Sequence, residues 1–151
     1  RGQYQAPFNN WNASTGAPPQ RLREDLALLP QIAQLQLASA AKDISQAGVL
    51  GTTVMLLESS QVGAHIQLES IPKPAQVAWQ QWLQTFPSFG FLLTCDEQQL
   101  APLLTLFQQR HISAAAIGEI NDSGLCTLSW DSQTDLFWDI HTTPLTAMGG
   151  H

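Results

Sequence analysis

The chain has 151 residues, 44% of them hydrophobic and only 12% charged, which is enough apolar material for the core of one domain. Six Lys and Arg against twelve Asp and Glu give a formal net charge of −6, which leaves no basic stripe for a nucleic-acid or anionic-membrane partner. No apolar run reaches the length of a membrane span and no basic-then-apolar segment opens the chain, so a cytoplasmic protein is expected.

The charged share is about half the ~25% of an ordinary domain, which suits a surface partly hidden against another domain or subunit. Arg1 to Pro19 lacks periodicity and is rich in Asn, Gly, Pro and Ser. It reads as a linker or arm (residues 1–19) belonging to a longer chain. Phe8 and Trp11 are costly to leave in water, so the arm should pack on something. From Pro18-Pro19 the pattern turns helical, with Leu22, Leu26, Leu29 and Ala33 on one face and Arg23, Glu24 and Asp25 off it. Pro30 must kink that helix or open a second one, because it has no N–H to donate.

Ala38 to Ile44 reads as a short strand. It leads into Lys42-Asp43-Ile44-Ser45-Gln46-Ala47-Gly48, and a nearly apolar helix follows from about Gly48 to Ser59. Small residues at a helix entrance let a ligand approach the backbone, and amides there favour an anion. Asp43 and Ser45 add an acceptor and a hydroxyl. The same residues also read as a plain helix cap. Lys42 either neutralises a phosphate or stands solvated.

Gly63 to Leu68 alternates like a strand, Ile71-Pro72-Lys73-Pro74 is a turn, and Gln76 to Thr85 reads as a helix bearing Trp79, Trp82 and Leu83. Phe89 to Cys95 is a continuous apolar run, predicting a central strand covered on both faces. Asp96 is placed to cap a helix running to about Arg110, with Leu100, Leu103, Leu104 and Phe107 on one side and Pro102 in or near the first turn. Ile112 to Ile120 predicts a strand. Asn121-Asp122-Ser123-Gly124 predicts a hairpin turn, and Leu125 to Trp130 its partner. Asp135 to Ile140 adds a last strand, and residues 142–151 have no pattern and read as a mobile tail. Cys95 and Cys126 sit in apolar segments and read as buried thiols of a reducing compartment.

Other chemical candidates are sparse. Glu58, on the apolar helix, is either paired or near the site. Glu119 reaches a metal or simply ends a surface strand. His65, His111, His141 and His151 show no metal-ligand spacing, so no metal site is expected from this chain. Ser45 has no hydrolase-like surroundings. Trp79 and Trp82 read as core or interface.

The order and spacing of several motifs carry a resemblance. Lys42-Asp43-Ile44-Ser45-Gln46-Ala47-Gly48-Val49-Leu50, Met55 to Ala64 with its Val62-Gly63-Ala64, the Ile71-Pro72 turn, Gly90-Phe91-Leu92-Leu93, and Ile117-Gly118-Glu119-Ile120 together resemble the second domain of the aminoimidazole ribonucleotide (AIR) synthase superfamily. The likeness runs from about Leu22 to Leu128. That superfamily includes thiamine-monophosphate kinase, selenophosphate synthetase, a hydrogenase maturation factor and formylglycinamidine ribonucleotide synthetase, and the nearest likeness is to its AIR synthase-related group.

The resemblance implies an α+β fold, a mixed β-sheet covered by helices in α/β/α layers and partly ferredoxin-like, over residues 20–141. It implies part of an ATP-dependent enzyme that carries out phosphoryl transfer, or ATP-driven ligation or cyclisation. ATP and Mg2+ would be bound in the full-length protein, largely by the missing N-terminal ATP-binding domain, and none would be required by this domain alone, which should have no turnover. It also implies a small-molecule substrate and a homodimer. By position, Lys42, Asp43, Ser45, Gln46, Ala47 and Gly48 would form the phosphate- or substrate-facing loop. Ala47 stands where relatives carry the first of two glycines, and its methyl narrows the approach. A non-catalytic metabolite-binding or subunit-interaction module on the same fold is the competing expectation.

Overall fold

Nine strands and five helices form three sheets packed around two apolar cores in the computed structural model, which describes residues 2–146. The N-terminal arm folds back on the body. Strand β1 (Gln3–Tyr4) pairs antiparallel with β2 (Asn10–Asn12), and β2 runs parallel to β5 (Phe86–Pro87). Trp11 drives this docking. It is buried, with its ring edge-on to Tyr4 at 5.1 Å and to Trp82 at 5.5 Å, and aromatic burial of this size outweighs the ordering of a short segment. Phe8 does not share that fate and stays 65% exposed.

Helices α1 (Pro19–Leu26) and α2 (Leu28–Gln34) are separated at Ala27. Pro30 therefore lies in the first turn of a second helix, where a missing N–H costs little. The break resets the helical phase, so the expected Leu22, Leu26, Leu29, Ala33 face does not form. Leu28, Ile32 and Asp25 are buried instead, and Leu26 is exposed. Asp25 tolerates burial because Arg110 pairs with it, its Nη2 at 2.9 Å from Oδ1.

Strand β3 (Ala40–Asp43) pairs antiparallel with β6 (Phe91–Thr94), Ala40 opposite Thr94 and Asp43 opposite Phe91. The continuous apolar run of β6 is explained by its two-sided covering, since Leu92 packs on one core and Leu93 on the other. It is not a central strand, however, because among the described residues it pairs with β3 alone in a two-stranded ribbon. On one side of the ribbon, Leu28, Ile32 and Leu37 meet Leu103 and Phe107 of α5 (Glu97–Gln109). Asp96 stands at the N-cap of α5 with extended backbone but makes no side-chain cap bond, and Pro102 lies inside the helix rather than in its first turn.

On the other side, α3 (Gly48–Ser60) lies across the largest sheet, with Val54 and Leu57 in contact with Ala64, Ile66 and Cys126. That sheet has the order β7-β4-β8-β9, formed by β4 (Gly63–Gln67), β7 (Gly118–Asn121), β8 (Leu125–Trp130) and β9 (Gln133–Asp139). The hairpin expected across Asn121-Asp122-Ser123-Gly124 does not form. Strand β4 enters between its two arms, antiparallel to β7 with Ala64 opposite Ile120 and parallel to β8 with Ala64 opposite Cys126. Residues 112–117 are not strand; Ile112 and Ala114 pack on the α5 core instead. The hairpin that does form joins β8 to β9 at Asp131 and Ser132, whose φ values of 46° and 65° suit a tight turn of the mirror-image type.

Helix α4 (Trp79–Leu83) is shorter than the expected Gln76 to Thr85. Within the expected tail, residues 142–146 make hydrogen bonds to the body, and residues 147–151 lie outside the described ones. Asp139 Oδ1 accepts the amides of His141 and Thr142, and Trp138 Nε1 donates to the Thr143 carbonyl at 2.6 Å. The class expected from the sequence, α+β with a mixed sheet covered by helices, is what the chain adopts.

Candidate functional site

The turn between β3 and α3 is built from its own polar groups. Lys42 and Asp43 end β3 on opposite faces of the ribbon, Lys42 half-buried and Asp43 exposed. The Ile44 amide extends the ladder to the Gly90 carbonyl at 3.0 Å. Ser45 then closes the turn. Its amide donates to Thr52 Oγ1 at 3.1 Å, its carbonyl accepts the Gly48 amide at 2.9 Å, and its hydroxyl lies 3.4 Å from both the Ala47 amide and Thr52 Oγ1. Thr52 is fully buried behind it. Ser45 thus holds the turn together chiefly through its main-chain amide and carbonyl.

Gly48 opens α3 with φ of +71°, a conformation that glycine adopts without strain. It is buried against the main chain of Leu83 and Gln84, so closely that a Cβ would meet the Leu83 carbonyl oxygen. Ala47 has φ −70° and ψ −3°, ordinary right-handed geometry that needs no glycine. Of the two small residues, the second is therefore the one the backbone demands.

Gln46 and Ala47 form the exposed tip. They line an open depression of about 520 Å³ with Phe8, Asn9, Gln84 and Phe86. Of the six predicted site residues, the structure brings these two to the depression, places Ser45 and Gly48 behind them as the frame of the turn, and leaves Lys42 and Asp43 on the strand. The four other lining residues escaped sequence reasoning. Phe8 and Asn9 come from the arm, and Gln84 and Phe86 from the segment that pairs with it, so the docking of the arm brings them together here.

The remaining candidates lie elsewhere. Glu58 is three turns along α3, about 15 Å from the loop at 1.5 Å per residue. It is 2% exposed and accepts hydrogen bonds from the Leu145 amide at 2.9 Å and from the Thr146 amide and hydroxyl at 3.0 Å. Glu119 is exposed on β7 opposite His65, whose Nδ1 lies 2.9 Å from Thr127 Oγ1. His151 falls outside the described residues. Trp82 donates from Nε1 to the Pro72 carbonyl at 2.9 Å, and Trp79 meets Trp130 edge-on at 5.2 Å, so both serve packing. Both cysteines are free. Burial pushes the Cys126 thiol up to about 11, whereas Cys95 is only half-buried and is raised by desolvation and by the charge of Asp96.

Asp43 is the loop's one carboxylate, and no group of three His, Cys, Asp or Glu able to hold a metal forms among the described residues. The loop alone therefore does not fit a Mg2+ cage. No helix among the described residues is long and apolar enough to cross a membrane.

With this geometry in view, comparisons place the chain among known proteins. Residues 8–131 match the family described as AIR synthase related protein, C-terminal domain. An uncharacterized protein of Synechocystis sp., sll0787, is 40% identical over 140 residues, covering 93% of this chain and 44% of that protein. Thermotoga maritima PurL complexed with ATP superposes with a TM-score of 0.66 at 16% identity, over 77% of this chain and 20% of that one. E. coli HypE, a hydrogenase maturation protein, gives a TM-score of 0.62 at 17% identity, over 79% of this chain and 40% of that one. At such identities the last two share the fold. The chain spans less than half the length of each of these three proteins.

Proposed function

The chain belongs to the AIR synthase related family through its C-terminal domain, and from that premise we propose that it works as the C-terminal domain of an ATP-dependent enzyme. In this reading the Lys42–Gly48 turn faces a phosphate or an anionic small-molecule substrate during phosphoryl transfer, or during ATP-driven ligation or cyclisation. The observation that carries it is the placement of Gln46 and Ala47 on an open depression at the entrance of α3, in a turn already rigidified by Ser45 and Thr52. Phosphoryl transfer depends on positioning and charge neutralisation more than on a reactive side chain. A rigid turn with Lys42 beside it supplies part of both.

ATP and Mg2+ belong, in this proposal, to the longer protein and its N-terminal domain, and the domain alone has no turnover. A PurL structure holding ATP supports nucleotide binding at the level of the longer chain. A homodimeric, cytoplasmic enzyme is part of the same reading.

A second reading, a non-catalytic metabolite-binding or subunit-interaction module, is favoured by one observation. The Ser45 hydroxyl is engaged within the turn, and the exposed tip is an uncharged Gln and Ala. ATP turnover by the longer protein with Mg2+, measured for wild type and Asp43→Ala, separates the two. Turnover that falls in the variant supports the enzyme reading, and unchanged turnover removes the loop from the chemistry. A longer protein that leaves ATP intact while this chain still binds a metabolite favours the module.

A further inference from the structure

We infer that Glu58 is the latch of a two-state C-terminal strap, docked when its carboxylate holds Leu145 and Thr146 and released when that grip is lost. Glu58 is the one charged residue in α3, and it lies in the core beside Leu57, which is fully buried. A carboxylate in that setting must be compensated by donors. Three come from a segment 87 to 88 residues away in sequence. Oε2 accepts the Leu145 amide at 2.9 Å and the Thr146 amide at 3.0 Å, while Oε1 accepts the Thr146 hydroxyl at 3.0 Å. Two successive amides converging on one carboxylate form a nest for an anion. Here the anion is the protein's own side chain.

The segment before the strap is held differently. Asp139 gathers the amides of His141 and Thr142 on its side chain and that of Thr143 on its carbonyl, and Trp138 holds the Thr143 carbonyl. Those bonds are local and do not involve Glu58. The chain reversal at Asp139–Thr143 should therefore persist when the latch opens, with Pro144 as the junction between fixed and releasable parts.

Amide hydrogen exchange on the chain, read residue by residue by NMR, tests this. In Glu58→Leu both acceptor oxygens are removed, so the Leu145 and Thr146 amides and the Thr146 hydroxyl lose their bonds to residue 58. The Leu145 and Thr146 amides should then exchange at least about tenfold faster, while His141, Thr142 and Thr143 keep wild-type rates. Thr146→Val, at a half-buried position, removes the hydroxyl donor and should speed Leu145 exchange by roughly a few fold. That variant carries the test if Glu58→Leu does not fold. Unchanged rates at Leu145 and Thr146 overturn the latch. So does acceleration spread evenly over residues 141–146 and α3, which would mark Glu58 as a core residue only.

Discussion

Ser45 and Thr52 are locked side by side across the entrance of α3, the Ser45 amide donating to Thr52 Oγ1 at 3.1 Å. Because Thr52 is fully buried, this hydroxyl has no water to replace its partner. Thr52→Val keeps the shape and removes the acceptor, so the Ser45 amide loses its bond inside the protein. A loss of roughly 1–2 kcal/mol is expected, read as a lower midpoint in urea unfolding with an unchanged slope.

Gly48 and Ala47 should respond in opposite ways to a change of one methyl. Gly48→Ala forces a Cβ onto the Leu83 carbonyl oxygen in a left-handed conformation and should cost about 2 kcal/mol or more. Ala47→Gly removes a methyl from a residue with ordinary helical geometry at an N-cap position, where glycine is well tolerated, and should be close to neutral. Denaturant unfolding of both variants gives the comparison directly.

The Glu24 carboxyl is held below its ordinary value by hydrogen bonds from Gln20 and Arg110 and by the charge of Arg110. A lowered carboxyl contributes stability that is present above its unfolded value, near 4.3, and is lost as the pH falls through the folded one. Arg110→Ala should move Glu24 back up toward that value, visible in an NMR titration. The same variant also removes the Arg110–Asp25 ion pair and leaves Asp25 with Arg21 at 3.6 Å.

Thiol reactivity should sort the two cysteines. Burial raises Cys126 to about 11, so the folded state keeps its proton where the unfolded chain gives it up. Its contribution to stability is therefore complete below the unfolded value, near 8.5, and declines as the pH rises toward 11. At pH 8 an aromatic disulfide reagent should label half-buried Cys95 first and reach Cys126 only on unfolding.

Ala47→Leu fills part of the depression without touching Ser45, Thr52 or Gly48. In the longer protein this change should lower turnover or metabolite affinity by roughly tenfold while leaving the melting temperature within about 2 °C of wild type. Equal activity in wild type and variant would separate the depression from any function.

What the sequence made legible was local. The apolar run after Gly48 gave α3 nearly to the residue, and Phe91 to Thr94 was apolar because Leu92 and Leu93 face two different cores. What misled was a strong local turn. Asn121 Oδ1 does accept the Ser123 amide at 3.0 Å, as turn chemistry predicts, yet the strands on either side pair with β4 instead of each other. Turn residues fix a change of direction, and partner choice is settled by burial over the whole sheet. In the same way Asp25 was placed off the apolar face because Arg110, far along the chain, was not visible as its partner. The Lys42–Gly48 turn could be read as a candidate site, but not the division within it. Which residues frame and which are presented depends on Thr52 and on the Leu83 main chain.

The placement of β4 between β7 and β8 has a consequence for biosynthesis. Ala64 leaves the ribosome before both strands that flank it, since Ile120 and Cys126 emerge about sixty residues later. Until then α3 has no completed sheet to rest on, and Leu57 and Val54 remain open to other chains. A nascent polypeptide halted before Leu125 should accordingly sit in a chaperone's hands, and release should come in one step once the β8 segment clears the exit tunnel.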